Sequence, residues 1–150
     1  MTEARIARCA GASAATEPPP HVAAVITRVC KHLQGEAQDF LDISVDLEGV
    51  APFARQVYEA ARDIPAGQTK TYGEIAKILG QPGAAQAVGQ ALGSNPIALI
   101  IPCHRVVAAG GRPGGFSAYG GRTTKAALLA LEGATAQLPL NINSDCTCRG

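Results

Sequence analysis

The sequence contains no apolar run approaching the roughly 18 residues that a membrane span requires, although hydrophobic residues make up 47% of it. A transmembrane helix is excluded on that ground. There is no secretory-type leader either: Met1 to Ala15 carries two arginines but no apolar stretch ahead of a cleavage site, so a cytoplasmic location, or a nuclear one in a eukaryote, is expected. The five cysteines, Cys9, Cys30, Cys103, Cys146 and Cys148, are odd in number and too sparse and irregular for a disulfide scaffold, and read as free thiols. Internal repeats are absent. The net charge is only +1, which argues neither for nor against a nucleic-acid partner.

What is present is enough chain, 150 residues, for one domain or one domain with a small appendage. The charge is also uneven. Residues 1–49 carry four basic and seven acidic side chains, whereas residues 50–133 carry eight basic and four acidic, so the second stretch is the candidate nucleic-acid face, with an ordinary solvated surface as the bland alternative. The organisation reads as a flexible lead and short N-terminal portion over 1–49, a main unit over 50–133, and a frayed tail over 134–150.

The lead ends in Pro18, Pro19 and Pro20, after which Val22, Ile26, Val29 and Leu33 recur at helical spacing and Gly35 supplies a stop. Leu41, Ile43, Val45 and Leu47 then alternate with Asp42, Ser44 and Asp46, the pattern of a half-buried strand. Pro52 opens a second helix with a buried stripe of Phe53, Val57, Ala61 and Ile64. Thr71 and Glu74 form a T-x-x-E capping box for a third helix, closed by Gly80 and the turn Gln81-Pro82-Gly83. Residues 84–92, five of the nine Ala or Gly, form a fourth. Two short helices around a Gly-containing turn suggest a helix-turn-helix, with a plain helical hairpin as the alternative. The apolar run Ile97 to Ile101 should be buried, a glycine-rich loop covers Gly110 to Gly121, and a last helix bearing Leu128, Leu129 and Leu131 ends at Glu132-Gly133. The fold class is α/β (α+β), a short helix-strand portion followed by a mainly helical helix-turn-helix domain.

The chemistry centres on Pro102-Cys103-His104-Arg105-Val106. Only a thiolate is a strong nucleophile, so a reactive cysteine needs a base or a cation beside it, and Cys103 has both as sequence neighbours. Adjacent residues point apart, so His104 would relay the proton through a water and need a carboxylate to hold its tautomer; Glu132 is the candidate. A buried inert cysteine beside a surface histidine is the competing reading for any isolated Cys-His pair.

The string N-P-(x)5-P-C-H-R-V, preceded by a helix-turn-helix and followed by a Gly-rich loop and an L-E-G helix end, resembles the O6-alkylguanine-DNA alkyltransferases over residues 50–133, with a shortened first domain ahead. The resemblance implies stoichiometric transfer of a methyl or longer alkyl group from O6 of guanine, and less well O4 of thymine, to Cys103. It implies that His104 takes the thiol proton through a water, Glu132 orients His104, Asn95 braces the turn into the site and Arg105 supports it. Tyr72 would crowd the phosphate beside the lesion and help extrude the nucleotide, while Ser117 and the main chain at Cys103 and Val106 would hydrogen-bond the flipped base. Residues 84–92 would lie in the minor groove of alkylated double-stranded DNA. A monomer with no cofactor is expected.

Two departures stand out. Gln86 occupies the position where the family carries an arginine that fills the gap left by the flipped base, which predicts weaker DNA binding and slower repair. Human-type members hold zinc in the first domain; here Cys9, Cys30, His21 and His32 fit no compact zinc module, and no metal is expected. A lesion-binding sensor of the alkyltransferase-like type is the alternative function. Such sensors replace the acceptor cysteine, typically by tryptophan, whereas this chain keeps Cys103 and has no Trp. A sequence-specific helix-turn-helix regulator would leave the Pro-Cys-His-Arg string unexplained.

Overall fold

The computed structural model describes residues 17–134 except positions 113, 117 and 119. The expectations for the lead before residue 17, for the tail after residue 134 and for Ser117 lie outside the described residues. Helix α1 spans Pro20–Leu33 and α2 spans Pro52–Arg62, each opening with a proline in its first turn, where the missing N–H costs nothing. Strand β1, Lys70–Thr71, runs directly into α3, Tyr72–Ile78. The Thr71–Glu74 capping box is formed in both directions: Glu74 N–H donates to Thr71 Oγ1 at 3.2 Å and Thr71 N–H to Glu74 Oε2 at 2.7 Å. Gly80, with φ of 73°, ends α3 by letting Gln81 N–H reach back to the Ala76 carbonyl at 2.9 Å. Helix α4, Ala85–Gly93, completes the helix-turn-helix. A 3-10 turn over Cys103–Arg105 leads into β2, Val106–Val107, and α5 spans Gly121–Leu131.

The sheet is a two-residue parallel ladder, Lys70 with Val106 and Thr71 with Val107. It ties the start of the helix-turn-helix to the end of the cysteine turn. The main core joins Val57 and Ala61 of α2, Ile64 just beyond its end, Ile75 and Ala76 of α3, Val88 and Leu92 of α4, and Ile101 and Val106, all buried, with Cys103 itself in the cluster. Burying each of the larger side chains contributes about 1.5–3 kcal/mol. Tyr58 adds a polar tie, its hydroxyl donating to the Ala91 carbonyl at 2.9 Å. A second cluster of Phe40, Leu99, Ile100 and Leu128, with Val25, Val29 and Ile43 packed on it, seats α1 and the following segment against α5 and the loop before Cys103.

Two expectations are corrected. Residues 41–47 form turns and irregular chain rather than a strand. The burial alternation survives, with Ile43, Val45 and Leu47 partly covered and Ser44 and Asp46 exposed, but arginines take the carbonyls a partner strand would need. Arg62 Nη2 donates to the carbonyls of Phe40, Leu41 and Ile43 at 2.9, 3.0 and 2.7 Å, and Arg55 Nη2 to Leu47 at 2.8 Å. The buried face of α1 also differs: Val22, Ile26 and Leu33 are exposed, while His32 is 1% exposed. Val25, Val29 and His32, at i, i+4 and i+7, face inward instead, with Val25 and Val29 packed on the Phe40 cluster.

Candidate active site

Pro102 makes the cysteine turn. Its φ of −80° and ψ of 64° are those of an inverse γ-turn, in which Cys103 N–H donates to the Ile101 carbonyl at 2.8 Å. Arg105 N–H then closes onto the Pro102 carbonyl at 2.9 Å, winding Cys103–Arg105 into a 3-10 turn whose three side chains leave in different directions. The loop ahead is clamped by Asn95, which is buried. Its Nδ2 donates to the Ile101 carbonyl at 2.9 Å and its Oδ1 accepts from Ile97 N–H at 3.0 Å. The loop inside that clamp carries backbone strain at buried Leu99, whose φ is 78°.

Glu132 caps α5. Gly133, with φ of 72°, turns the chain so that Ala134 N–H reaches the Leu129 carbonyl at 2.9 Å, and the Glu132 side chain is left pointing inward, 1% exposed. His104 Nε2 donates to its Oε1 at 2.8 Å. Arg105 donates from Nη2 to Oε1 at 2.8 Å and from Nε to Oε2 at 3.0 Å, and from Nη1 to the Ile64 carbonyl at 2.6 Å. Burial pushes the Glu132 carboxyl up, but the hydrogen bonds and charges of His104 and Arg105 outweigh it and leave the group at about 2. It is a carboxylate at neutral pH. Burial pulls the His104 imidazole down, opposed by its bond to Glu132 and aided by Arg105 and His32, so the ring is neutral. With its one proton on Nε2 toward Glu132, Nδ1 is a bare acceptor, buried and without a hydrogen-bond partner among the described residues. Cys103, 3% exposed and not in a disulfide, is one residue away in the chain.

The remaining sequence candidates fall around this centre. Tyr72, the first residue of α3, sits between two glycines: a Cβ on Gly89 would lie 3.8 Å from its ring, and one on Gly114 would collide with its hydroxyl. Burial and the nearby Cys103 raise the Tyr72 pKa. Val106 is fully buried in β2; its N–H donates to the Cys103 carbonyl and its own carbonyl accepts from Lys125 Nζ at 2.5 Å. Gln86 is exposed on α4 with Ala87 and Gln90, away from the carboxylate network. His32 is engaged at both ring nitrogens and Cys30 is exposed, so these two do not share a metal site; among the described residues no cluster of three or more His, Cys, Asp or Glu side chains is placed to hold one.

Two residues were missed from sequence. Lys125 is fully buried on α5, its Nζ shared among the Val106 carbonyl, the Gly115 carbonyl at 3.2 Å and the Tyr72 hydroxyl at 3.5 Å. Burial lowers it to about 8 against the pull of Cys103. Its position, three and four residues before Leu128 and Leu129 on one helix face, was the available signal. The other is His32, whose Nε2 lies 2.9 Å from Glu132 Oε1 across 100 residues of chain.

Fold and site together define a helix-turn-helix protein with a cysteine nucleophile set into its core. Residues 52–134 match the family described as 6-O-methylguanine DNA methyltransferase, DNA binding domain. The chain is 47% identical over 117 residues to the methylated-DNA--protein-cysteine methyltransferase of Mycolicibacterium paratuberculosis, covering 78% of this chain and 68% of that one. Among solved structures it is similar to Mycobacterium tuberculosis OGT in complex with DNA, with 44% identity, a TM-score of 0.70 and coverage of 77% and 70% of the two chains. The O6-methylguanine-DNA methyltransferase of Pyrococcus kodakaraensis gives 33% identity and a TM-score of 0.62 over 87% of this chain and 75% of that one. The chain belongs to the 6-O-methylguanine DNA methyltransferase family.

Proposed function

We propose that this protein repairs alkylated DNA by moving an alkyl group, typically methyl, from O6 of guanine to Sγ of Cys103. The observation that carries the proposal is the bare, buried Nδ1 of His104, the residue that follows Cys103 in the chain, with the other ring nitrogen tied to a carboxylate. His104 takes the thiol proton through a water, and the thiolate attacks the alkyl carbon. The S–C bond forms as the C–O6 bond breaks, and the electron pair leaves on the guanine. The base then takes up one proton, so the thiol proton is formally transferred to guanine. The thioether has no route back to a thiol, so each molecule acts once, and no cofactor enters.

Glu132 orients His104 and stabilises its protonated form while the proton is in transit, a role that needs the carboxylate ionised. Arg105 locks Glu132, and Asn95 holds the loop that delivers Cys103. Tyr72, held between Gly89 and Gly114, would crowd the lesion's phosphate and help extrude the nucleotide. Ser117 and the main chain at Cys103 and Val106 would receive the extruded base. The uncharged exposed face of α4, Gln86, Ala87, Gln90 and Gly93, suits close approach to a minor groove. The protein would act as a monomer on double-stranded DNA, in a reducing, cytoplasmic setting that keeps Cys103 a thiol.

The deciding test is intact-mass spectrometry after mixing the protein with a duplex carrying one O6-methylguanine. A gain of one methyl group mapped to Cys103, and absent in Cys103→Ala, is the expected result. Tight lesion binding with no adduct would replace transfer by lesion sensing.

A further inference from the structure

We infer that His32 is a positioning residue of the transfer reaction, an imidazole from α1 that holds the Glu132 carboxylate in the orientation in which it holds His104. The inference deepens the alkyl-transfer reading and rests on it. It places part of the catalytic apparatus outside residues 52–134, the stretch that carries the family match.

The hydrogen-bond pattern fixes how His32 acts. Gln38 N–H donates to His32 Nδ1 at 3.0 Å, so Nδ1 must offer a lone pair, and the proton of the neutral ring is on Nε2. That Nε2 donates to Glu132 Oε1 at 2.9 Å, and both side chains are 1% exposed. Oε1 therefore receives His32, His104 and Arg105 together, while Oε2 receives Arg105 alone. Without His32, the carboxylate is held only by residues of the cysteine turn it is meant to steady. With His32, it is anchored to a separate helix that is packed on the Phe40 cluster.

The second effect is electrostatic. Among the described residues Glu132 is faced by His32 from α1 and by His104 and Arg105 from the cysteine turn, and the turn after α2 supplies the Ile64 carbonyl, which binds Arg105. The Phe40 ring centroid lies 5.5 Å from that of His32, and the Arg28 guanidinium, paired to Asp42, lies 5.4 Å from the Phe40 centroid. Each donor on Oε1 draws off part of the negative charge available to His104. Removing the His32 donor leaves more of it, so the His104 imidazole becomes easier to protonate.

The test measures single-turnover methyl transfer from an O6-methylguanine duplex against pH for the full-length wild type, His32→Phe and His32→Gln. Phe keeps an aromatic ring against Phe40 without the donor; Gln places an amide N–H close to where Nε2 was. His32→Phe should transfer about tenfold more slowly at saturating DNA, as loss of one positioning hydrogen bond would give, with DNA affinity unchanged and the acid limb of its profile moved to higher pH. His32→Gln should recover most of the rate. A His32→Phe protein with wild-type rate and profile overturns the inference, as does slowing that is equal in both variants with no movement of the profile. Long-range 1H–15N spectra of the wild type decide the case even if His32→Phe does not fold: His32 protonated at Nε2 is required, and protonation at Nδ1 overturns the inference. A wild type that forms no Cys103 adduct would instead remove the alkyl-transfer reading, and these spectra would still judge the hold on Glu132.

Discussion

Arg105 and Glu132 form a two-pronged ion pair, Nε to Oε2 at 3.0 Å and Nη2 to Oε1 at 2.8 Å, inside the protein. With side chains 7% and 1% exposed, water cannot stand in for a missing partner. Arg105→Leu should therefore lose about 3–5 kcal/mol of stability, seen as a lower urea midpoint at unchanged slope. Arg105→Lys should fall between, since an ammonium keeps the charge but not the fork that also serves the Ile64 carbonyl. A Leu variant within about 1 kcal/mol of wild type, the range of exposed pairs, would show that the pair is not structural.

The same carboxylate sets the acid behaviour. Glu132 is held at about 2 against an ordinary 4.5, so its contribution is complete above pH 4.5 and is lost as the pH falls toward 2. His104 lies below its ordinary 6.5, so the unfolded chain takes that proton first and stability also drops as the pH falls below 6.5. Both slopes have the same sign. Glu132→Gln should flatten the lower one, and chemical denaturation between pH 5 and 2 that shows the wild-type slope in the variant would contradict the assignment. Transfer by the wild type should keep its rate down through pH 6.5, because the His104 base is still neutral there.

Asn95→Ala leaves the Ile97 N–H without its acceptor, at about 1–3 kcal/mol for a buried group left unpaired, and takes from the Ile101 carbonyl one of its two donors, the other being Cys103 N–H. Asn95→Asp keeps the acceptor for Ile97 but loses the donor to Ile101, so it should lose less than the alanine variant. Denaturation curves that rank the two the other way would mean that the loop is held by something else.

Gln86→Arg should speed repair of a duplex by about tenfold, worth ~1.4 kcal/mol in the transition state, because a cation gains the backbone charge that glutamine cannot reach. Reaction with a free O6-alkylated guanine base, which needs no extrusion, should be unchanged. Equal acceleration of both substrates would place the effect at Cys103 instead of on the DNA.

Gly114→Ala would drive a Cβ into Tyr72, 2.7 Å from its Cε2. The ring must move or the loop must shift, at a cost of about 1–3 kcal/mol for overpacking. Weakened lesion binding with the free-base reaction retained is the expected result; unchanged duplex repair would remove Tyr72 from the DNA contact.

Much of this was legible in the sequence because the signals were local. The Thr71–Glu74 box, the Pro52 helix start and the Gly80 and Gly133 stops each concern residues within one turn of one another, and all appear as read. The partners Cys103, His104 and Glu132 were legible through a distinctive string and its resemblance. What was not legible depended on tertiary partners. Alternation over 41–47 specifies which side chains are covered but not whether a second strand is there to pair, and Arg62 answered that question. The stripe Val22, Ile26, Val29 and Leu33 fits a helix period as well as Val25, Val29 and His32 does; only the position of Glu132, 100 residues away, selects the face with the histidine. Lys125 lay hidden because a buried cation is identified by the carbonyls that receive it.

The contact between His32 and Glu132 also bears on how the protein is made. Cys103 and His104 leave the ribosome before Glu132, and the His104–Glu132 bond cannot close until a further 28 residues of chain have been added. The thiol is thus synthesised as an ordinary cysteine. On the proposed mechanism it acquires its base only when α5 docks and long-range closure joins helix α1 to the same carboxylate, a step that nonlocal contacts make late in folding. Incomplete chains would then carry the nucleophile without its activation, and would not be consumed by alkylating agents faster than any other exposed thiol.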